Sequence, residues 1–458
     1  MKTGRQLLRF LMKKRKVNVS ATRVIALVFL GIILVGTGLL MLPAASRSGE
    51  SCGFLDAFFT ATSATCVTGL VPFDTGAAWT GFGQAVILTM IELGGLGFMS
   101  MASLFVFLLG RKVGLRQRMV MAQALSLNDM EGVVRLQKLV LGGSLTIQLA
   151  GAVILALRFI FRYGYGIGRA VWCGIFHSIS AFCNAGFDIF GTGNSVMDFS
   201  GDPLILITLM VLIVVAGLGF FVWEELTRVR RFRDFSVYTK LVLITTGVLI
   251  LGGAVLTMIL EWNNPATLGA MSDGNKVVNA FFQSVTLRTA GFAAVDQAAL
   301  SPAGKAVSIM LMLIGGSSGS TAGGLKTVTF IVLLLFIWTR ARGRNTVTAF
   351  RRTIPGEKVM DAMTIAFIMI ILAMTGAVVI CGTSGVEFTD ALFESVSALA
   401  TVGLTAGVTG LLHPVAQVVI VIFMYFGRVG VLTISLGFLM GDKAEDRIRY
   451  ANTNLLIG

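Results

Sequence analysis

One segment of the chain occurs four times, at intervals of more than a hundred residues. Each copy has an apolar run followed by small polar residues, and it ends in glycine followed by Leu or Phe. The copies are FLDAFFTATSATCVTGL at 54–70, VWCGIFHSISAFCNAGF at 171–187, KVVNAFFQSVTLRTAGF at 276–292 and FTDALFESVSALATVGL at 388–404. The glycines, and the phenylalanine ten residues before each, are Gly69, Gly186, Gly291 and Gly403, with Phe59, Phe176, Phe281 and Phe393. Solenoid repeats have periods of ~20–50 residues, so this spacing instead predicts four copies of one module around a shared feature.

Composition places the chain in a membrane. Hydrophobic residues make up 55% of the sequence and charged residues 13%, with a mean hydropathy of +0.85. These values are typical of integral membrane proteins. The apolar run 24–41 is long enough to span a bilayer and lacks a cleavage site, so no signal peptide is expected. The five cysteines form no C-x-x-C pair, and no P-loop, GxGxxG, carboxylate pair or His cluster indicates an enzyme or a nucleotide site in this chain.

Basic residues are concentrated between the repeats. The apolar runs predict eight spans, two for each repeat, at 24–41, 83–109, 139–157, 203–223, 241–260, 303–339, 362–381 and 414–440. Of the 37 Lys and Arg, 28 lie in the N-terminal segment, in the three links between units and in the C-terminal tail. An even number of spans puts these five segments on one side, which the positive-inside rule assigns to the cytoplasm, with both termini. The net charge of +14 therefore reflects topology and does not indicate nucleic-acid binding.

The repeats are too short to cross a bilayer, which takes ~20 helical residues. They predict half-helices that enter from outside and turn back through irregular backbone, which membranes tolerate only beside protein or a water-filled path. Four such stretches around one axis would present carbonyl oxygens to a cation, with the negative helix ends aimed inward. The alternative is that they are packing or turn elements. The predicted filter residues are Val67, Thr68, Gly69, Asn184, Ala185, Gly186, Thr289, Ala290, Gly291, Thr401, Val402 and Gly403.

The four motifs SATCVTGL, SAFCNAGF, TLRTAGF and SALATVGL, each between two apolar spans, resemble the pore loops of the Ktr/Trk/HKT superfamily of potassium transporters. The similarity extends over about 21–441 and is greatest to the Ktr membrane subunit. It implies an all-α membrane protein of four M1–pore-loop–M2 units with pseudo-fourfold symmetry around a central ion pore. The units would be 1–110, 111–228, 229–345 and 346–458.

The resemblance also implies a function. It predicts potassium uptake across the cell membrane through a gated, channel-like pore, with sodium as a second candidate ion. A glycine at Gly69, where some HKT members have serine, implies potassium over sodium. The expected partners are a second copy of the chain, membrane lipid and a separate cytoplasmic ring that binds nucleotides. The alternative is a sodium- or proton-coupled alternating-access symporter, but such transporters are built from inverted repeats, whereas the charge pattern gives all four units one orientation.

A glycine-rich stretch interrupts the long apolar run 303–339. That run would be roughly 55 Å long as one helix, too long for a single span, and five glycines at ~1 kcal/mol each should break it. The alternative is a small-residue packing face between helices. The resemblance implies an intramembrane loop beneath the filter that acts as a gate. Its residues are Gly315, Gly316, Ser317, Ser318, Gly319, Ser320, Thr321, Ala322, Gly323 and Gly324.

Charged residues within apolar surroundings mark four further positions. Arg428 is predicted near the middle of the last helix, where an uncompensated charge costs at least ~2.5–3.5 kcal/mol. It is therefore expected to face a polar interior rather than snorkel, and the resemblance implies a barrier beneath the filter. Arg288 and Lys276 are expected to pair with acids at the outer rim. Glu92 is expected either to bind a helix end or to line the inner path.

Overall fold

The protein is described by a computed structural model covering residues 21–97 and 133–430. The predicted spans 83–109 and 414–440 run beyond these limits, as do most of the basic residues at the two ends of the chain. The described residues form fifteen α-helices: α1 Ala21–Leu40, α2 Phe54–Cys66, α3 Thr75–Ala78, α4 Gly81–Gly95, α5 Val133–Tyr163, α6 Ile167–Phe182, α7 Pro203–Leu218, α8 Phe220–Arg228, α9 Val237–Glu261, α10 Asp273–Thr286, α11 Pro302–Leu313, α12 Thr327–Ala341, α13 Gly356–Ser384, α14 Phe388–Leu399 and α15 Pro414–Val429. Two short antiparallel strands, β1 Thr348–Ala349 and β2 Arg352–Thr353, lie between α12 and α13.

The helices follow one order in each quarter of the chain. A long helix (α1, α5, α9 or α13) is followed by a short one that contains a repeat (α2, α6, α10 or α14), and then by an apolar helix that ends in a break. Within the described residues, three helices are long and apolar enough to cross a membrane, and the bent pair α7 and α8 makes a fourth if taken as one span. Eight spans therefore stay a prediction.

Two of the predicted spans are interrupted by a break that the structure describes on both sides. The predicted helix 303–339 ends at Leu313 and resumes at Thr327, around the glycine-rich stretch. The helix predicted as continuous over 203–223 is wrong: α7 and α8 meet at Gly219, whose φ is +91°, and their axes differ by 89°. A positive φ at this position suits glycine alone among common residues.

The buried phenylalanine of each repeat packs in the protein core. Phe59, Phe176 and Phe393, each ten residues before its glycine, are almost fully buried. In the third repeat the fully buried residue is Phe282, nine residues before Gly291, whereas Phe281 is only partly buried. The reason is that the third repeat is one residue shorter between its last helical threonine and its glycine, which shifts the helix register by one.

A serine on three of the short helices binds the preceding long helix. Ser178, Ser284 and Ser395 each donate from Oγ to a main-chain oxygen there, at 2.6, 2.8 and 2.8 Å. The acceptors are Gln148 O, Ile250 O and Ala373 O. A glycine stands three residues after each acceptor, and a Cβ there would run into the serine hydroxyl; these glycines are Gly151, Gly253 and Gly376. The first repeat has Ala61 instead of serine, and Thr37 on the long helix donates to Ile33 O.

We predict that Ser395→Ala destabilises the protein by about 1 kcal/mol, since a buried hydrogen bond between the short and the long helix is lost. The measurement is the midpoint of thermal unfolding in detergent. Thr364→Ala is the matched control, because Thr364 is exposed and donates to Met360 O within its own helix. Equal midpoints for the two variants would contradict a role for Ser395 in holding the helices together.

Candidate ion pathway

Backbone strain marks the four segments that follow the short helices. The residue two before each glycine has a positive φ although it is not glycine: Val67 57°, Asn184 59°, Thr289 67° and Thr401 52°. The glycines are also positive, with φ of 101°, 68°, 83° and 92° in chain order, whereas the residues between are not among the positive-φ positions. Residues of positive φ thus alternate with a residue of negative φ in each segment. Such conformations cost ~1–3 kcal/mol each and cluster at functional sites.

The four glycines meet one another in a closed ring. A Cβ on any of them would collide with the carbonyl oxygen that precedes the glycine of the next repeat, and the last repeat faces the first. A Cβ would lie 2.5 Å from Ala185 O at Gly69, 2.9 Å from Ala290 O at Gly186 and 2.5 Å from Val402 O at Gly291. At Gly403 it would overlap Thr68 O. No side chain fits at any of the four glycines, because main-chain atoms of neighbouring repeats occupy the space.

A hydroxyl group on each short helix fixes the segment that follows it. Two of the hydroxyls accept a bond from the glycine N–H, and two donate to the carbonyl of the phenylalanine after the glycine. The first pair is Ser63 with Gly69 N and Ser397 with Gly403 N, both at 3.0 Å. The second pair is Ser180 with Phe187 O at 2.8 Å and Thr286 with Phe292 O at 2.7 Å.

Polar side chains behind the ring hold the chain that leaves it. His177 accepts a hydrogen bond from Ile189 N through Nε2 and stacks on Phe190 at 4.0 Å, so it is a packing residue. Gln283 donates to the Gln297 amide oxygen at 2.6 Å, and Glu394 accepts from Thr409. These three residues occupy equivalent positions, directly after the buried phenylalanine. The segments outside the ring are therefore fixed as well as those within it.

Asp188 lies two residues beyond the second glycine of the ring, in the loop outside the short helix. Burial raises the pKa of this carboxyl to about 7, and the nearby Asp74 and Asp198 add to the rise.

The glycine-rich loop packs directly against the ends of the short helices. Thr321 donates from Oγ1 to Phe182 O at 3.2 Å, at the C-terminal end of α6. Gly323 lies so close to the fourth segment that a Cβ would stand 2.8 Å from Ala400 O and would overlap the Thr401 hydroxyl. The base of the loop is closed by a bond of 2.9 Å from Gly315 N to Leu325 O. The loop thus lies next to two of the four strained segments.

Arg428 joins the loop to the first quarter of the chain. One guanidinium nitrogen donates to Thr321 O, and the other donates to Gly94 O and, at 2.9 Å, to Gly95 O. The predicted position near the middle of a helix is wrong, because Arg428 is the penultimate residue of α15. It faces a polar interior made of main-chain oxygens, and no carboxylate of the described residues lies within 4 Å of it.

Arg288 also contacts the loop, and its predicted place at the outer rim is wrong. It is 8% exposed and donates from Nη2 to Gly315 O at 3.1 Å and to Thr327 Oγ1 at 3.2 Å. It follows the last turn of α10, where the side chain extends toward the loop and away from the acids. Lys276, by contrast, is 3.7 Å from Asp273 and lies over the Trp262 ring. The sequence did mark Arg288 as different, since the other three repeats have small uncharged residues at this position: Cys66, Cys183 and Ala400.

Glu92 joins α4 to the second repeat. Its carboxylate accepts from Gln148 Nε2 at 3.1 Å and from the Cys183 thiol at 3.2 Å. Cys183 follows the last residue of α6, so Glu92 binds at the end of a short helix through a side chain.

The apolar helices after the repeats break at equivalent places. The chain has φ of +82° at Gly97, +91° at Gly219 and +96° at Gly430, each at or just beyond the end of a helix. The sequences are GGLG, AGLG and GRVG, and the glycine-rich loop occupies the same place in the third quarter. The sequence prediction recognised only the loop, although this small repeated pattern was present.

Comparisons with known proteins identify the family. A family model described as "TrkH: Cation transport protein" matches residues 5–446. The chain is 40% identical to the potassium/sodium uptake protein NtpJ of Enterococcus hirae, over 98% of this chain and 100% of that one. It is 38% identical to the Ktr system potassium uptake protein B of Bacillus subtilis, over 96% and 98%.

A solved structure shows the same fold. The potassium transporter TrkH from Vibrio parahaemolyticus superposes with a TM-score of 0.71 at 17% identity, covering 93% of this chain and 86% of that one. The resemblance predicted from the four motifs is confirmed, as is the prediction of a transporter rather than an enzyme. This chain is a multi-pass membrane protein and belongs to the TrkH family of cation transport proteins.

Proposed function

We propose that this protein takes up potassium across the cell membrane through a gated, channel-like pore. The observation that carries the proposal is the ring in which each glycine faces a main-chain oxygen of the next repeat. Its relatives are named for uptake of potassium, or of potassium and sodium. The filter consists of the four triads Val67–Gly69, Asn184–Gly186, Thr289–Gly291 and Thr401–Gly403.

The architecture we propose is four M1–pore-loop–M2 units around this pore, with pseudo-fourfold symmetry. The units are 1–110, 111–228, 229–345 and 346–458, with both termini in the cytoplasm. The closed order of the glycine contacts and the recurring helix order support this arrangement. The positive-inside rule supports the orientation.

The ion is bound by carbonyl oxygens and helix dipoles rather than by charged side chains. Carbonyl oxygens of the triads replace the hydration shell of K⁺. The C-terminal ends of α2, α6, α10 and α14 lead into the triads and carry partial negative charge, which favours a cation. Sodium is a second candidate ion, because one relative is named for both.

The gate is formed by the loop Gly315–Gly324 together with Arg428. The loop lies against Phe182 O and Ala400 O, at the inner ends of two pore helices. Arg428 binds the loop at Thr321 O and adds a positive charge in front of a permeating cation. The loop fills the path, and the guanidinium repels the ion, so the two oppose conduction in different ways.

Flux in liposomes that contain only this chain tests the proposed function against the symporter alternative. A channel-like pore conducts potassium down its own gradient, with no requirement for a sodium or proton gradient. Potassium movement against its gradient, driven by sodium or protons with fixed stoichiometry, would overturn the channel proposal.

We predict that Gly69→Ser weakens potassium uptake and lowers discrimination against sodium. A Cβ at Gly69 would lie 2.5 Å from Ala185 O, so the ring must deform. The measurements are the apparent affinity for potassium and the ratio of potassium to sodium uptake. Gly382→Ser is the control, since a Cβ at Gly382 meets nothing within 4 Å. Unchanged affinity and selectivity in Gly69→Ser would contradict the filter assignment.

We predict that Arg428→Ala, or a shortened Gly315–Gly324 loop, raises the maximal rate of potassium uptake at least about tenfold, with little change in apparent affinity. A charge 4 Å from a cation is worth about 4 kcal/mol at an effective dielectric constant of 20, whereas a tenfold change in rate needs only ~1.4 kcal/mol. Initial rubidium uptake, corrected for expressed protein, measures the effect. Arg344→Ala, at an exposed arginine distant in sequence from the loop, is the control. Normally expressed variants that transport no faster than the parent would refute the barrier.

We predict that the protein works as a homodimer on a separate cytoplasmic ring that binds nucleotides. The name of the Bacillus subtilis relative refers to a Ktr system, and no nucleotide-binding motif occurs in this chain. Purification from native membranes, followed by the mass of the complex in detergent, tests this. A monomer with full, regulated transport would contradict it.

A further inference from the structure

We propose that the segment Phe220–Tyr238, here called the strap, binds anionic lipid headgroups and thereby holds the glycine-rich loop in its blocking position. The proposal rests on the proposed function for the role of the loop and for the side of the membrane. The strap consists of α8, the basic link after it and the first residues of α9.

Both ends of the strap are hydrogen-bonded to the tip of the loop. Phe220 N donates to Gly319 O at 2.9 Å, and the Tyr238 hydroxyl donates to Ser318 O at 2.8 Å. Two consecutive loop carbonyls are therefore bound by residues that lie eighteen positions apart in the chain. Next to them, Ser317 N donates to Gly217 O at 3.0 Å, on the other side of the break at Gly219. A displacement of the strap must move or break these bonds.

The strap is also closed on itself. The Glu225 carboxylate, on α8, accepts hydrogen bonds from Ser236 N at 2.5 Å and from Ser236 Oγ at 2.7 Å. It accepts a further bond from the Thr239 hydroxyl, on α9. These bonds join the two helices across the basic link, so a force on the link is transmitted to both contacts with the loop.

The link carries the features of a membrane-surface segment. Arg230, Arg231 and Arg233 are exposed, and no carboxylate of the described chain lies within 4 Å of any of them. Phe232 stands among them with 48% of its surface exposed, and Leu226 on α8 is 42% exposed. Clustered arginines beside exposed apolar side chains are typical of segments that bind anionic lipid at a membrane surface.

The bend at Gly219 gives the link the orientation that such binding needs. The axis of α8 lies at 89° to that of α7, so α8 runs along the bilayer surface if α7 runs along its normal. An acidic protein could also attract three arginines, but exposed Phe232 and Leu226 favour the lipid surface as the occupant. The headgroup of an anionic phospholipid presents a phosphate group, to which guanidinium binds in a bidentate manner.

The sign of the effect follows from linkage. In the arrangement described, the arginines are exposed and the loop lies against the filter segments. A ligand that binds one arrangement better than another shifts the population toward it. If anionic lipid binds this arrangement better than a conducting one, it lowers conduction, and loss of the lipid or of the arginines raises it.

The experiment uses the purified full-length chain in two assays. Potassium flux is measured in liposomes of phosphatidylcholine alone and of phosphatidylcholine with added phosphatidylglycerol, and native mass spectrometry counts retained phosphatidylglycerol. The test variant is the triple substitution Arg230→Gln, Arg231→Gln and Arg233→Gln. The matched control removes three exposed arginines of the unit 3 to unit 4 link, by Arg344→Gln, Arg351→Gln and Arg352→Gln.

For the parent and the control we expect flux about fivefold lower with phosphatidylglycerol than without it, at the lower end of typical coupling between two sites. The test variant should show high flux in both lipids and retain less phosphatidylglycerol. Tyr238→Phe separates binding from transmission: it should retain the lipid as the parent does, yet respond less to it, because one bond to the loop is lost.

Equal lipid retention by the test variant and the control would overturn the proposal. Purification of the same variants from native membranes tests the other occupant: loss of the cytoplasmic ring from the test variant, with lipid retention unchanged, would also overturn the proposal, since that result assigns the arginines to a protein partner. If no variant conducts cations, Arg428→Ala included, the proposed function fails, whereas selective loss of retained lipid from the test variant still supports the lipid site.

Discussion

The strained backbone beside the four glycines is the constraint on which the rest of this molecule depends. Four side-chain-bearing residues, Val67, Asn184, Thr289 and Thr401, adopt the left-handed conformation that costs each of them ~1–3 kcal/mol. Strain of this kind persists only where the surroundings over-determine it. The hydroxyl groups of the short helices, the buried phenylalanines behind them and the serine bonds to the long helices supply those surroundings. The long helices therefore act as supports for a few residues of backbone.

The charges near the ring have an unusual set of partners. Arg288, Arg428 and Lys326 bind main-chain oxygens or a hydroxyl, and within the described ranges none has a carboxylate within 4 Å. A carboxylate would cancel the charge, whereas carbonyl dipoles satisfy the donors and leave the positive field in place. The same three side chains thus shape the loop and keep the region positive.

The sequence was sufficient to predict the family, the four repeats and the break in the apolar helix of the third quarter. Glycine content, hydropathy and spacing carry those signals. It was not sufficient where the outcome depends on one residue of register or on a distant contact. The common spacing of ten residues points to Phe281, whereas the structure buries Phe282, because the third repeat is one residue shorter before its glycine. The break at Gly219 is equally hidden, because one glycine costs a helix only ~1 kcal/mol. Beside that break Ser317, about a hundred residues away in the sequence, donates to Gly217 O at 3.3 Å. Arg288 was misplaced because its sequence neighbours do not reveal where its side chain points.

The ring closes through a contact between the last repeat and the first, Gly403 against Thr68 O. During synthesis the first repeat leaves the ribosome long before the fourth exists. Until then Val67 has no closing neighbour to hold its left-handed backbone, and the segment is free to relax. The ring is thus a late product of biogenesis, completed only when the fourth quarter has been made. A chain truncated after its third quarter would lack Gly403 and could never close the ring.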